Sequence, residues 1–372
     1  AGALAAIGAL YLARRLATPA GRGPLAAPLA RLWRWEFWPA WLFYAPVVPW
    51  IAWLSLRHGG FTTITAANPG IPDGGFVGES KFRILAGLPH EQVVPGFLVR
   101  ADPPLARLES LGLGMRERGL EFPLVLKPDA GQRGAGVRMV RSFREAEEYL
   151  RGYPGPVLAQ TWHTGPHEAG IFYYRMPGEA RGRIFSITDK VFPVIEGDGV
   201  STLEDLIWRH PRYRMQARTF LTRHAAQRRR VLARGERLPL ARAGNHCQGT
   251  MFRDGAHLLT PELERVVDRI AGAFPGFHFG RFDVRYGDPA AFMAGEDLAI
   301  VELNGVTSES TNIYDPSRSL LQAWRTLYRQ WGLLFRIGAA NRARAIHPAG
   351  ALHLLRSVLA FYGGPAPSPL AD

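Results

Sequence analysis

Cysteine is almost absent from this chain, and a whole class of architecture goes with it. Cys247 stands alone among 372 residues, so no internal disulfide can form, and a reducing compartment suits the chain. Zinc-type Cys/His spacing, HExxH and internal repeats are also missing, which excludes the usual zinc modules and solenoid arrays. The phosphate-loop signature GxxxxGK[ST] is nowhere in the sequence. Acidic residues are scarce, 32 against 45 Lys+Arg, giving a formal net charge of +13. That balance favours an anionic partner: nucleotide, membrane surface or nucleic acid. No nucleic-acid reading module is recognisable, so no nucleic acid is expected.

What is present describes a globular protein. Hydrophobic residues make up 47% and charged residues 21%, enough apolar material for two or three structural units. The first sixty residues differ from the rest. Pro39 to Leu56 carries no charge but is marginal for a bilayer span of roughly 20 residues, and Pro46 and Pro49 interrupt it. Trp33, Trp35, Trp38, Trp41, Trp50 and Trp53 suit a headgroup boundary. Arg31 and Arg34 precede the run, and Arg57 and His58 follow it. The composition predicts a re-entrant or interfacial segment touching membrane lipid, with soluble core helices as the alternative. A second apolar piece, AGALAAIGALYLA, ends in Arg14 and Arg15; its charges follow rather than lead, unlike a cleaved signal. The Pro/Gly-rich AANPGIPDGGFVGES then reads as a linker or an active-site loop.

From there the patterning is α/β. In FPLVLKPDAGQRGAGV the run of Leu124, Val125 and Leu126 predicts a strand that projects Lys127 from one face. Gly131, Gly134 and Gly136 follow at once, and bare backbone amides of this kind can form an anion-binding concavity. Ser142 and Glu145 predict a capping box that opens a helix. In FGRFDVRY, Arg281, Asp283 and Arg285 share a strand face; in LAIVELNG, Glu302 and Asn304 share another. Were these strands neighbours, Asp283, Glu302 and Asn304 would converge as an all-oxygen set suited to Mg²⁺. The rival reading pairs the two carboxylates with Arg281 and Arg285 as a structural ion network.

Taken together, KPDAGQRGAG, the glutamate in LAQTWHTGPHEAGIF, and GRFD followed by VELNG resemble the ATP-grasp superfamily over about residues 81–331. IEGDGVSTLEDLI and GNHCQGT look closest to ligases of the D-alanine–D-alanine ligase and cyanophycin synthetase kind. The resemblance implies an α+β fold in which two subdomains clamp ATP, here behind an apolar, membrane-associated N-terminal helical segment. It implies that Lys127 and Lys81 contact phosphates under the loop of Gly131, Gly134 and Gly136. It places Gln160 at the adenine hinge, although an acidic residue is commoner there, and Glu168 on the ribose hydroxyls. Asp283, Glu302 and Asn304 match Mg²⁺ (or Mn²⁺) ligands, and Arg281 matches the arginine that steadies the transferred phosphoryl group. Lys190 is placed to reach phosphate, or to remain a solvated lysine.

The implied activity joins a carboxylate to an amine through an acyl phosphate. A small-molecule kinase and a non-catalytic ATP-binding membrane protein are the alternatives. The corresponding division of the chain is 1–60 as the apolar segment, 61–121 as a linker and lead-in, 122–200 as the small subdomain, 201–335 as the large one, and 336–372 as a tail. ATP use and the lone cysteine place the catalytic part on the cytoplasmic side of a membrane, or simply in the cytoplasm. Two features depart from the family: the tryptophan-rich apolar segment stands where relatives usually carry an α/β domain, and eleven arginines from Arg209 to Arg242 crowd the connector. They read as a solvated insertion or as a surface for anionic lipid or an acidic substrate.

Overall fold

The computed structural model describes residues 17–131 and 134–364, without the side chains at 25 and 29. The apolar stretch ending at Arg14 and Arg15 lies outside the described residues. The chain folds as two compact units, 45–191 with 252–364, and 17–44 with 192–251. This grouping crosses the linear division above because each unit closes its core with segments distant in sequence.

The strands, in chain order, are β1 (Gly96–Val99), β2 (Leu124–Pro128), β3 (Arg138–Val140), β4 (Val157–Thr161), β5 (His167–Tyr174), β6 (Arg183–Val191), β7 (Val194–Glu196), β8 (Arg237–Pro239), β9 (Met251–Asp254), β10 (Phe279–Tyr286) and β11 (Ala299–Asn304). In the larger unit, β1, β4, β2 and β3 form an antiparallel sheet in the order β1-β4-β2-β3. Helices Pro104–Arg118 and Phe143–Gly152 cover it through Leu111, Met115, Tyr149 and Leu150, which meet Phe97, Leu124 and Leu126. Ser142 caps the second helix by accepting the Glu145 amide at 3.3 Å. Glu145 itself reaches one residue further back than a capping box requires, to the Arg141 amide at 2.9 Å.

The second sheet of this unit runs β11-β10-β5-β6-β9, with antiparallel pairing from β11 through β6. One face presents Ile171, Phe282, Val284 and Ile300 to helix Pro261–Ala273, which contributes Leu263, Val267 and Ile270. Thr260 caps that helix, Pro261 opens it, and Glu262 and Glu264 occupy its first turn, where carboxylates offset the positive dipole end. The opposite face changes character along its length. Glu168, Lys190 and Asp283 occupy one end, and Phe172 and Phe279 join an apolar cluster at the other. The two largely antiparallel sheets and their covering helices accord with the expected α+β class.

The tryptophan-rich segment is not an isolated apolar run. Among the described residues no helix is long and apolar enough to cross a membrane. Helix Val48–Arg57 packs Leu54 against Leu333, Leu334 and Ile337 of the 23-residue helix Leu320–Arg342. Trp50 donates its indole N–H to the Tyr328 carbonyl at 3.0 Å. Residues Phe61–Ala67 lie against the same long helix, where a Cβ on Gly338 would collide with the Thr63 carbonyl.

Residues 17–44 instead belong to the smaller unit. Helix Pro19–Leu32 lies on helix Leu203–Arg209 so closely that a Cβ on Gly23 would stand 2.5 Å from the Trp208 ring. Trp35 stacks on Phe43 at 5.5 Å, and buried Glu36 accepts from Arg212 at 2.8 Å. The expectation of one membrane-associated segment before residue 60 is corrected accordingly: its described residues are shared between two cores. Trp33 and Trp41 do remain exposed, at 89% and 75%. Several arginines of the connector are likewise engaged within this unit. Arg212 pairs with Glu36, Arg228 with Glu204 and Arg230 with Glu236, and Arg223 donates to the Leu240 and Gln248 carbonyls.

Candidate functional site

Register builds the site. Pairing of β10 with β11 places Asp283 opposite Glu302 and Arg281 opposite Asn304. Pairing with β5 sets Arg285 opposite Glu168, and β6 brings Lys190 opposite Glu168 in turn. Charged side chains of four neighbouring strands therefore converge on one sheet face. Gly170, opposite Asp283, leaves the space: a Cβ there would come within 3.3 Å of Asp283 Oδ1 and 3.2 Å of Arg281 Cδ.

The cluster is dense and mostly buried. Lys190 bridges Glu168 at 2.7 Å and Asp283 at 2.8 Å. Arg281 meets both oxygens of Asp283 at 3.1 Å and donates to the Glu309 carbonyl at 3.0 Å. Asn304 turns its amide nitrogen to Asp283 Oδ2 at 3.1 Å. Arg285 pairs with Glu168 at 3.1 Å, and its guanidinium lies 4.8 Å from the Trp162 ring centroid. Lys81, on the short helix Lys81–Ala86, reaches the Gly131 carbonyl at 2.6 Å and Glu302 at 3.2 Å. Lys127, at the end of β2, donates to the Val301 carbonyl of β11 at 2.9 Å.

Charge separates these groups. Burial alone would raise the Asp283 pKa, yet Arg281 and Lys190 hold it well below the usual carboxylate range. Burial works the same way on Glu302, and Lys81 and Lys127 outweigh it. Lys81 and Lys190 are raised against burial by their carboxylate partners. Lys127 is the exception: desolvation, with Lys81 adding to it, lowers its pKa to about 8. It has a neutral carbonyl as its recorded partner, and no carboxylate pairs with it among the described residues. Lys81, Lys127, Lys190, Arg281 and Arg285 are interleaved with Glu168, Asp283 and Glu302, and Glu79, Asp129 and Glu309 lie near enough to act on Lys81 and Arg281. Lys127, buried with a carbonyl and no carboxylate as partner among the described residues, is the group here that calls for an anion.

The remaining sequence-predicted residues are placed as follows. Gly134 and Gly136 adopt φ of 70° and 71°, conformations that a glycine takes without strain. Gly136 accepts from the Tyr149 hydroxyl at 2.7 Å. Gln160 is buried on β4, its amide 3.4 Å from the Val94 carbonyl, and makes no recorded contact with the ionic cluster. Glu168 has one oxygen on Lys190 and the other on Arg285, so it meets cations where a ribose contact is implied. Among the described residues no group of three or more His, Cys, Asp or Glu side chains could hold a metal. The narrower set of Asp283 and Glu302, ionised at neutral pH, with the neutral Asn304 amide oxygen still offers hard oxygen donors, and that chemistry fits Mg²⁺. Sequence reasoning missed Trp162, whose place two residues beyond Gln160 was the only signal of it.

No family model and no curated protein matches the sequence. Solved structures do resemble it. The D-alanine–D-alanine ligase from Bacillus anthracis is 14% identical, with 72% of this chain and 68% of that chain covered and a TM-score of 0.37. D-cycloserine synthetase DcsG is 14% identical, with 68% and 70% covered and a TM-score of 0.37. The bifunctional glutathione synthetase from Pasteurella multocida is 16% identical, with 67% of this chain covered and a TM-score of 0.33; the match spans about a third of its length, 35%.

Proposed function

We propose that the chain is an ATP- and Mg²⁺-dependent ligase of the ATP-grasp kind, joining a carboxylate to an amine. Lys127 is the observation that carries the reading: a buried ammonium with lowered pKa, one carbonyl partner and a glycine loop beside it. Such a group gains an anionic partner when a triphosphate enters, and Lys81, Lys190 and Arg281 supply further positive charge around it. Asp283 and Glu302, with Asn304, would hold Mg²⁺, which neutralises phosphate charge when bound. To do so they must exchange Lys190, Arg281 and Lys81 for the metal, leaving those cations to turn onto phosphate oxygens.

In the proposed reaction a substrate carboxylate oxygen attacks the γ-phosphorus and the bond to the ADP oxygen breaks. The amine then attacks the acyl phosphate carbon, gives up a proton, and phosphate departs as the amide forms. The chain's part is positioning and charge neutralisation. Lys127 and the loop of Gly131, Gly134 and Gly136 orient the phosphates, and Arg281 stabilises charge on the transferred group.

The test is turnover with ATP over a panel of amino acids and other small carboxylates and amines, following ADP, AMP and phosphate. ADP release that requires both an acid and an amine supports the ligase; AMP release overturns acyl-phosphate chemistry. Hydroxamate formation with hydroxylamine separates the ligase from a kinase, which leaves no acyl phosphate to trap.

A further inference from the structure

A second site lies on the same sheet face, away from the ionic cluster. Tyr174 follows Glu168 by six positions on β5, roughly 20 Å along the strand. There the larger unit encloses an open cavity of about 530 Å³, within the usual range for small-molecule sites. Trp50, Trp53, Tyr174, Phe185 and Tyr328 form its walls. Two of their polar ends are engaged elsewhere: the Trp50 indole donates to the Tyr328 carbonyl at 3.0 Å, and the Tyr328 hydroxyl to the Pro46 carbonyl at 2.7 Å. Trp50 and Trp53 stack at 4.8 Å between centroids, which fixes one wall as a rigid apolar plate.

The rim has one sign of charge. Arg57, Arg329 and Arg336 surround the cavity with His58, and no aspartate or glutamate among the described residues lines it. None of the three arginines has a carboxylate partner among the described residues. Arg57 instead lies over Trp53 at 5.5 Å, and Arg329 over Phe185 at 5.8 Å. Burial, followed by Arg57 and Arg336, lowers the His58 pKa, as expected where positive potential accumulates. Unpaired guanidinium groups above an aromatic-walled hollow select a ligand with an apolar body and an anionic head.

The geometry points to this cavity as a binding site for an amphiphilic organic anion, an acyl or aromatic body ending in a carboxylate or phosphate, taken up as a single molecule. The site stands apart from the nucleotide reading, since it shares none of the residues assigned to ATP.

Calorimetric titration of the full chain, without nucleotide, provides the test. The probes are dodecanoate and dodecyl phosphate below their micellar range, dodecyltrimethylammonium, and phosphatidylglycerol vesicles. Both anions should bind with one-to-one stoichiometry, and the cation at least about tenfold more weakly. Arg329→Gln with Arg336→Gln, both on exposed positions, should lower anion affinity by about tenfold or more. Gly332→Leu should block the cavity: a Cβ there has room, 3.8 Å from Trp50, but the longer side chain would fill the hollow. ATP binding, measured in parallel, should be unchanged in both variants. Equal affinity for the cation, or unchanged anion binding in the double arginine variant, overturns the assignment. So does binding to vesicles without binding of the monomeric anions, which would make this face a bilayer contact instead.

Discussion

Lys127 ties the proposed activity to the stability of the free protein. Its pKa falls from 10.5 to about 8 through desolvation, and at about 1.4 kcal/mol per pH unit the charged form is disfavoured by about 3 kcal/mol. Below pH 8 the folded and unfolded chains both carry the proton, so that whole penalty is present. Between about 8 and 10.5 the unfolded chain binds more protons than the folded one, and stability rises with pH. Lys127→Met removes the buried charge but also the 2.9 Å bond to Val301 and a cation near Glu302. The net gain at pH 7 should therefore be about 1–3 kcal/mol. Urea unfolding at pH 7, 8.5 and 10 should show the variant more stable at pH 7 and the gap closing by pH 10. Calorimetry should show ATP affinity reduced at least about tenfold, because the ammonium has been kept at a structural loss for its ligand. A variant that is less stable than wild type at pH 7 and binds ATP as before would refute the reasoning and make Lys127 a structural residue.

Other expectations follow from the same contacts. Asp283→Asn should stop turnover and also destabilise by about 3–5 kcal/mol, since Lys190 and Arg281 lose their shared counter-charge; urea unfolding beside an ADP-release assay reads both. Glu302→Gln should stop turnover with a smaller loss, below about 2 kcal/mol, because its side chain is 26% exposed and its ion pair among the described residues is with Lys81. Gly23→Ala should lower stability by about 1–3 kcal/mol, as the added Cβ meets the Trp208 ring at 2.5 Å. Thermal denaturation without detergent checks this, and a neutral result would mean that helix Pro19–Leu32 is not held on that core. Glu36→Gln should cost about 3–5 kcal/mol by orphaning buried Arg212, and adding Arg212→Met should recover most of it in a double-mutant cycle.

The strand faces were legible because a period of two leaves a direct trace in sequence. Arg281, Asp283 and Arg285 alternate with Phe282 and Val284; the register that sets Asp283 opposite Glu302, with a shift before Val284 that turns Ile300 to the core, left no such trace. Choice of partner was not legible. Glu168 reads as an open carboxylate, yet its two oxygens meet Lys190 and Arg285, 22 and 117 residues away. The arginine-rich connector reads as a solvated insertion or as an anion-facing surface, and only the fold brings Glu36, 176 residues distant, onto Arg212. A local window contains neither member of such a pair's environment.

The tryptophan segment shows the same limit in a more instructive form. Tryptophan beside arginine states a chemical demand, an apolar body next to an anionic head, and a bilayer surface satisfies it as well as one bound amphiphile does. What distinguishes the two is concavity. Here that shape arises only when residues 50–58 meet the ends of β5 and β6 and helix Leu320–Arg342, segments more than a hundred residues apart. The composition of Trp50, Trp53 and Arg57 thus carries the ligand's chemistry, while the number of molecules it faces, one or a membrane of them, is decided by the tertiary contacts of Tyr174, Phe185 and Tyr328.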